Sequence, residues 1–231
     1  MNPRVSVLLS VKDGERWLRE ALNSILLLQT FTDCECLVMD DGSEDRTGAV
    51  LKEYANHPAL VTVRHPTSRG LAASLNALAR QAGGEYLARQ DADDVSRADR
   101  LAKQVAFLDA HPEVGLLGTW ALQIDVAGRP IQEERWPTDD QALRTLLPRV
   151  NPLIHPSVMM RRAVFEQVGG YDESFAVAQD YALWAKMAQV TKMAILPEAL
   201  VLRRIHADQA SNKKWPRRWA QVRVQARMLT R

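Results

Sequence analysis

Residues 4–11 (RVSVLLSV) form an unbroken apolar run, the pattern of a strand covered on both faces in a parallel sheet. After KDGE the period changes. Trp17, Leu18, Ala21, Leu22, Ile25 and Leu28 recur at spacings of three and four, marking one face of a helix. The alternation then repeats: CECLVM (34–39) reads as a strand, DDGSED as a loop, and 45–55 as a helix with Ser43 or Asp45 near its N-cap. LVTVR (60–64) is a third strand, followed by a helix through Leu71, Leu75, Leu78 and Ala79 that Gly83-Gly84 ends. EYLARQ (85–90) is a short strand running straight into Asp91-Ala92-Asp93-Asp94. Strands and helices alternating in this way predict an α/β fold, a doubly wound, mostly parallel sheet with helices on both faces.

Beyond residue 113 the alternation weakens. VGLLGTWALQID reads as extended, 139–147 as a short helix and Asn151 to Pro156 as a loop, with helices at 161–168 and 179–189 and strands near 193–196 and 199–202. In the segment 215–229, Trp215, Trp219, Val222, Ala226 and Leu229 fall on one helical stripe, with Arg217, Arg218, Gln221 and Gln225 outside it. A chain of 231 residues buries one substantial core, so a single domain is expected. Its parts are a first half (1–112), a second half (113–206) and a terminal helix (207–231).

Charge changes the picture at the end of the chain only. The net charge is +2, yet residues 203–231 hold nine Lys or Arg against one acid, while residues 1–202 hold twenty-one against twenty-seven. Such a basic amphipathic segment suits peripheral contact with an anionic membrane surface or an acidic partner; the other readings are a solvated basic face and a Trp stripe that packs on an apolar edge of the domain. Cys34 and Cys36 point to one side of a strand, favouring neither a mutual disulfide nor a metal site, and read as reduced core residues. No apolar stretch reaches the roughly 20 residues of a spanning helix. A cytoplasmic location follows as the expectation, with attachment to the inner face of the membrane as its variant and no nucleic-acid partner.

In open α/β sheets ligands bind outside the carboxyl ends of the strands. Asp13, the Asp40-Asp41-Gly42-Ser43 turn and the Asp91 to Asp94 cluster each follow a predicted strand end, so all three should meet in one cleft. Closely spaced carboxylates repel unless a cation neutralises them. Asp91 and Asp93 supply hard oxygens suited to Mg²⁺ or Mn²⁺, too few for a cage made of protein alone. Two bland readings stay beside this one: Asp93 or Asp94 capping a helix that begins near Ser96, and Asp40 and Asp41 as plain turn residues. Neither common glycine-rich phosphate loop is present, which argues against a kinase or dehydrogenase.

Five ordered segments carry a resemblance. VSVLLSVKDGERWLREALNSIL, CLVMDDGSEDRT, SRGLAASLNALARQAGGEYLARQDADD, HPSVMMRRAVFEQVGGYDE and AQDYALWAKM together are similar to the family 2 glycosyltransferases, with their Rossmann-like GT-A fold, in the branch that builds bacterial surface polysaccharides. The resemblance implies a metal-dependent, inverting transfer of a sugar from a nucleotide-sugar, UDP-linked by preference, to a glycan or lipid-linked glycan acceptor. It implies that residues 1–112 bind the donor and 113–206 the acceptor. Ser10, Val11 and Asp41 would line the nucleoside pocket, with Asp41 on the base and Asp13 in the adjoining loop. Asp91 would lie near the ribose and sugar, Asp93 would hold Mn²⁺ or Mg²⁺ on the diphosphate, and His206 would approach the metal. Asp180 would be the general base.

Two positions depart from the family pattern. Val11-Lys12-Asp13 stands where a Tyr-Asn pair is usual, and Gln179 precedes Asp180 where an acid is usual. The Gln-x-x-Arg-Trp motif of processive members is absent, so single addition is expected. The rivals are a sugar-phosphate nucleotidyltransferase, which should show a glycine-rich stretch after the first strand, and a nucleotide-sugar-binding protein without turnover.

Overall fold

The computed structural model describes residues 2–207, 209 and 221–225. Its first half is the predicted alternation: β1 (Val5–Val11), α1 (Leu18–Leu26), β2 (Cys34–Asp40), α2 (Thr47–Glu53), β3 (Leu60–Arg64), α3 (Leu71–Gln81) and β4 (Tyr86–Asp91). These four strands pair in parallel in the order β3-β2-β1-β4. The chain winds outward from β1 to β3 and then crosses to the other side of β1, so the switch point lies between β1 and β4, where Ser10 stands opposite Asp91.

Alternation along β1 separates the two cores. Leu8 packs with Leu37, Met39 and Leu87 under Leu75 and Leu78 of α3. Val5, Val7, Leu9 and Val11 pack on the other face under Leu18, Leu22 and Ile25 of α1 and Val50 and Leu51 of α2. Each buried aliphatic side chain contributes roughly 1.5–3 kcal/mol, and both faces of the sheet are covered, which is why β1 is apolar apart from Ser6 and Ser10.

The second half comprises β5 (Val95–Ser96), α4 (Arg100–Ala110), β6 (Val114–Ile124), β7 (Pro130–Glu134), α5 (Asp140–Leu146), a 3-10 turn (His155–Ser157), β8 (Met159–Arg161), α6 (Arg162–Gln167), α7 (Gln179–Met187) and β9 (Lys192–Arg204). It extends the same sheet as β4-β8-β6-β9-β5, with β7 paired to β6. β8 is antiparallel to both its neighbours, so the sheet becomes mixed here, while β6 and β9 run parallel from Val114–Lys192 to Ile124–Arg204.

Three local expectations need correcting. No helix begins at Ser96: Val95 and Ser96 pair with Leu202 and Val201, and α4 starts at Arg100. The two strands expected near 193–196 and 199–202 are one strand with register shifts beside Thr119 and Trp120, because a bulge reads as a break in an apolar pattern. The terminal stripe lies mainly outside the described residues; within 221–225, which are helical, Val224 rather than Val222 is buried. Val224 packs in the cluster that contains Trp184, whereas Val222 is 48% exposed. Among the described residues no helix is long and apolar enough to cross a membrane. Cys34 and Cys36 are free thiols, and burial pushes the Cys36 thiol well up.

Candidate active site

A cleft of about 730 Å³ opens at the carboxyl ends of β1 and β4. Ser10, Val11, Asp13, Asp91, Asp93 and His206 line it, together with Asn151, His155, Gln179 and Asp180. Ser10, Val11, Asp13, Asp91, Asp93, Asp180 and His206 thus share one space, whereas Asp41 and the rest of the 40–43 turn, expected there too, are not among the residues that line it. The only non-glycine residues of positive φ among those described, Asp13 (51°) and Ala178 (60°), both stand on its rim. Backbone held in this sparsely populated region marks segments whose conformation the surrounding contacts dictate.

Asp13 is fixed to the turn after β2: its N–H donates to Ser43 Oγ (3.0 Å), and its Oδ1 accepts from the Glu44 N–H (2.8 Å). Asp41 sits behind the cleft wall, 4% exposed. Its carboxylate accepts from Ser68 Oγ (2.7 Å) and from the N–H groups of Arg69 and Gly70 (2.9 Å each), and His65 Nδ1 lies 2.8 Å from Oδ1. Against the cost of burial, these bonds hold the carboxyl well below the usual carboxylate range. A base contact by Asp41 would share oxygens that already hold the 65–70 loop. Gly42 is required beside it, since its φ is +71° and a Cβ there would lie 2.8 Å from the Ser68 nitrogen.

The carboxylates of Asp91, Asp93 and Asp94 offer ligand oxygens that all lie within 4.8 Å of one another. Asp94, expected in the cluster or as a helix cap, has no helix at Ser96 to cap; its Oδ1 instead accepts from the Arg204 N–H (2.8 Å). Burial, then the charges of Asp91 and Asp93, push the Asp94 carboxyl well above its ordinary value. Asp91 is raised as well, by burial and by the charges of Asp93 and Asp180, against the lowering effect of Arg89. Protonation or a cation must relieve such a cluster, and the oxygen-only donor set fits Mg²⁺ or Mn²⁺.

His206 was expected at the metal. Its Nε2 lies 2.9 Å from Asp93 Oδ2, and its ring is 4.4 Å from that of Trp17, so it stands beside the cluster as a partner of Asp93. β9 delivers it there. Arg204, 1% exposed, donates through Nε to the Asp93 carbonyl (3.0 Å) and through Nη2 to Glu20 Oε2 (2.6 Å), pinning the end of β9 to α1.

Asp180 occupies the first turn of α7, and its Oδ2 accepts from Asn151 Nδ2 (2.8 Å). Behind it His155 Nε2 pairs with the Tyr171 hydroxyl (2.8 Å). Burial, aided by the Arg89 charge, holds His155 well below its ordinary value, and burial raises Tyr171, so both are neutral near pH 7.

Arg89, Asn151 and Tyr171 were not foreseen as neighbours of the site. Arg89, 1% exposed in β4, donates to the Leu8 carbonyl and to Asp91. A charged residue inside the apolar stretch EYLARQ was the available signal, since arginine is buried only with partners.

Comparison with known proteins gives one answer. A family model described as glycosyl transferase family 2 matches residues 6–169. The chain is 36% identical over 172 residues to the putative glycosyltransferase EpsE of Bacillus subtilis (strain 168), covering 73% of this chain and 60% of EpsE. It is 30% identical over 218 residues to an uncharacterized glycosyltransferase of Haemophilus influenzae, covering 91% of this chain and 79% of that one. Among solved structures it is similar to a mannosyltransferase from Pyrobaculum calidifontis in complex with GDP-Man and Mn²⁺ (TM-score 0.77, 22% identity, 100% of this chain and 65% of that one). It is similar also to S. aureus TarS 1-349 in complex with UDP-GlcNAc (TM-score 0.76, 22% identity, 92% and 61%). This chain thus spans about three-fifths of the length of EpsE and of that TarS fragment. The fold is GT-A, and with the family match over most of its length the chain belongs to glycosyl transferase family 2.

Proposed function

We propose that this protein is an inverting, metal-dependent glycosyltransferase that moves a sugar from a nucleotide-sugar to a hydroxyl of a glycan or lipid-linked glycan in cell-surface polysaccharide assembly. The observation that carries the reading is that Asp180 and the Asp91–Asp93–Asp94 cluster line one cleft, with Asp180 near enough for its charge to act on Asp91.

In this reading the nucleoside lies along Ser10 and Val11, at the end of the cleft organised by Asp13 and by the loop that Asp41 holds. Asp91 faces the ribose and sugar. Asp93, with Asp91 and Asp94 and with His206 beside them, would hold Mn²⁺ or Mg²⁺ against the diphosphate. When bound, the ion would supply electrostatic stabilisation of the charge that develops on the leaving diphosphate. UDP-GlcNAc and GDP-Man bound to proteins of the same fold support a nucleotide-sugar as donor class.

Asp180 takes the proton from the acceptor hydroxyl as that oxygen attacks the anomeric carbon. The bond to the diphosphate oxygen breaks on the opposite face, the electron pair leaves with the nucleoside diphosphate, and the configuration inverts in one displacement. His155 and Tyr171, both neutral, add no competing charge beside the base.

The test incubates the protein with Mn²⁺ and a panel of UDP-, GDP- and dTDP-sugars and measures nucleotide release. Release from one donor that EDTA or Asp93→Ala abolishes is expected. Release that persists in both would remove the metal from the account.

A further inference from the structure

We infer that Asn151 is a positioning residue for Asp180, its side-chain amide fixing the rotation of the carboxylate that faces the acceptor hydroxyl. The inference rests on the reading of Asp180 as the base. A carboxylate on a short side chain can turn about its last torsion and present either oxygen. Asn151 Nδ2 donates to Asp180 Oδ2 at 2.8 Å, which selects one rotational state.

The amide cannot simply be reversed, because Asn151 Oδ1 accepts from the Leu153 N–H (3.2 Å). The end turned toward Asp180 is therefore a donor, which favours the ionised carboxylate that a base requires. The donor is itself held rigidly. Pro152 restricts Asn151 to extended backbone, and Leu153 and Ile154, 3% and 6% exposed, anchor the following residues in the core.

Asn151 and Asp180 come from segments 29 residues apart, and both line the cleft. Among the described residues, the charged and titratable groups near the pair include Asp91, buried Arg89, and neutral His155 and Tyr171. Gln179, the neighbour of Asp180, is neutral too, so no acid adjoins the base on its own helix turn.

Two variants of the full chain, with Mn²⁺ present, test the role, with nucleotide release from UDP-GlcNAc and GDP-mannose as the probe and Asp180→Asn as the reference. Asn151→Ala should lower kcat between about ten- and a hundredfold while donor affinity stays within about twofold, the pattern of a misplaced reacting group. Asn151→Asp is isosteric and keeps the acceptor for the Leu153 N–H, so it remains informative if the alanine variant folds poorly. It sets a second carboxylate against Asp180 and should move the acid limb of the pH–rate profile upward by about one unit or more. An Asn151→Ala kcat within twofold of wild type, a rate loss matched by an equal loss of donor affinity, or an Asn151→Asp profile superimposable on wild type would overturn the inference. If Asp180→Asn retains turnover, the base assignment falls; if it is inactive while both Asn151 variants behave as wild type, only the role of Asn151 falls.

Discussion

Asp41→Asn changes one atom and should cost stability out of proportion to it. The wild-type carboxylate meets four polar groups: His65 and the Arg69 N–H at Oδ1, and Ser68 and the Gly70 N–H at Oδ2. An asparagine offers acceptor lone pairs on one side only, and its NH₂ must face the other pair. Ser68 can turn its hydroxyl and His65 can change tautomer, so either orientation strands one backbone N–H. A buried donor left unpaired costs about 1–3 kcal/mol, and the charge assistance of the surviving bonds is lost as well. A net loss of about 2–3 kcal/mol follows, which for a chain of this size corresponds to a melting temperature lower by roughly 4–12 °C.

The pH dependence gives a second check. Asp41 has a folded-state pKa below the ordinary value of 3.8, so its contribution is present above that value and is lost as the pH falls through the folded-state pKa. The gap between wild type and Asp41→Asn should be constant from pH 5 to 8 and shrink below about pH 4. Thermal melts across that range measure it. Coincident melts at pH 7 would refute the view that this carboxylate holds the 65–70 loop.

Other consequences are equally direct. Burial and mutual repulsion raise the Asp91 and Asp94 carboxyls, so each contributes most to apo stability below the ordinary carboxylate value and loses that contribution as the pH rises through its raised pKa. The melting-temperature gain from Mn²⁺ should therefore grow as the pH rises above the ordinary carboxylate range, and it corresponds to about 2.7 kcal/mol at a hundredfold excess over Kd. An equal gain in Asp93→Asn would place the ion elsewhere. Val224→Asp should destabilise by at least about 3 kcal/mol and Val222→Asp by less than about 0.5 kcal/mol, since the first puts a charge in the core and the second does not. Equal chemical-denaturation midpoints for the two would contradict the orientation of the 221–225 helix.

The parallel half of the fold was legible because β1, β2 and β4 bury both faces and their helices bury one. Each periodicity therefore appears undiluted in the sequence. The mixed half was less so. β5 has only two residues, and β9 crosses a bulge, so neither leaves a clean period. The same physics divides the candidate site. Asp13, Asp91 and Asp93 follow strand ends and could be placed by topology, whereas the partner of Asp94, the Arg204 N–H, lies 110 residues away and leaves no local signal to decide between ligand and cap. Asn151 was equally hidden, since a loop residue before proline carries no period, and its bond to Asp180 depends on how α7 packs on the core.

The most direct test of the central claim pairs turnover with donor binding in Asp180→Asn. On the donor that wild type consumes, the variant should bind with unchanged affinity by calorimetry yet release nucleotide about 10²- to 10⁴-fold more slowly, because it retains the donor side of the cleft and lacks the base. Near-normal release would contradict the claim that Asp180 drives transfer, and loss of donor binding in step with rate would make it a binding residue instead.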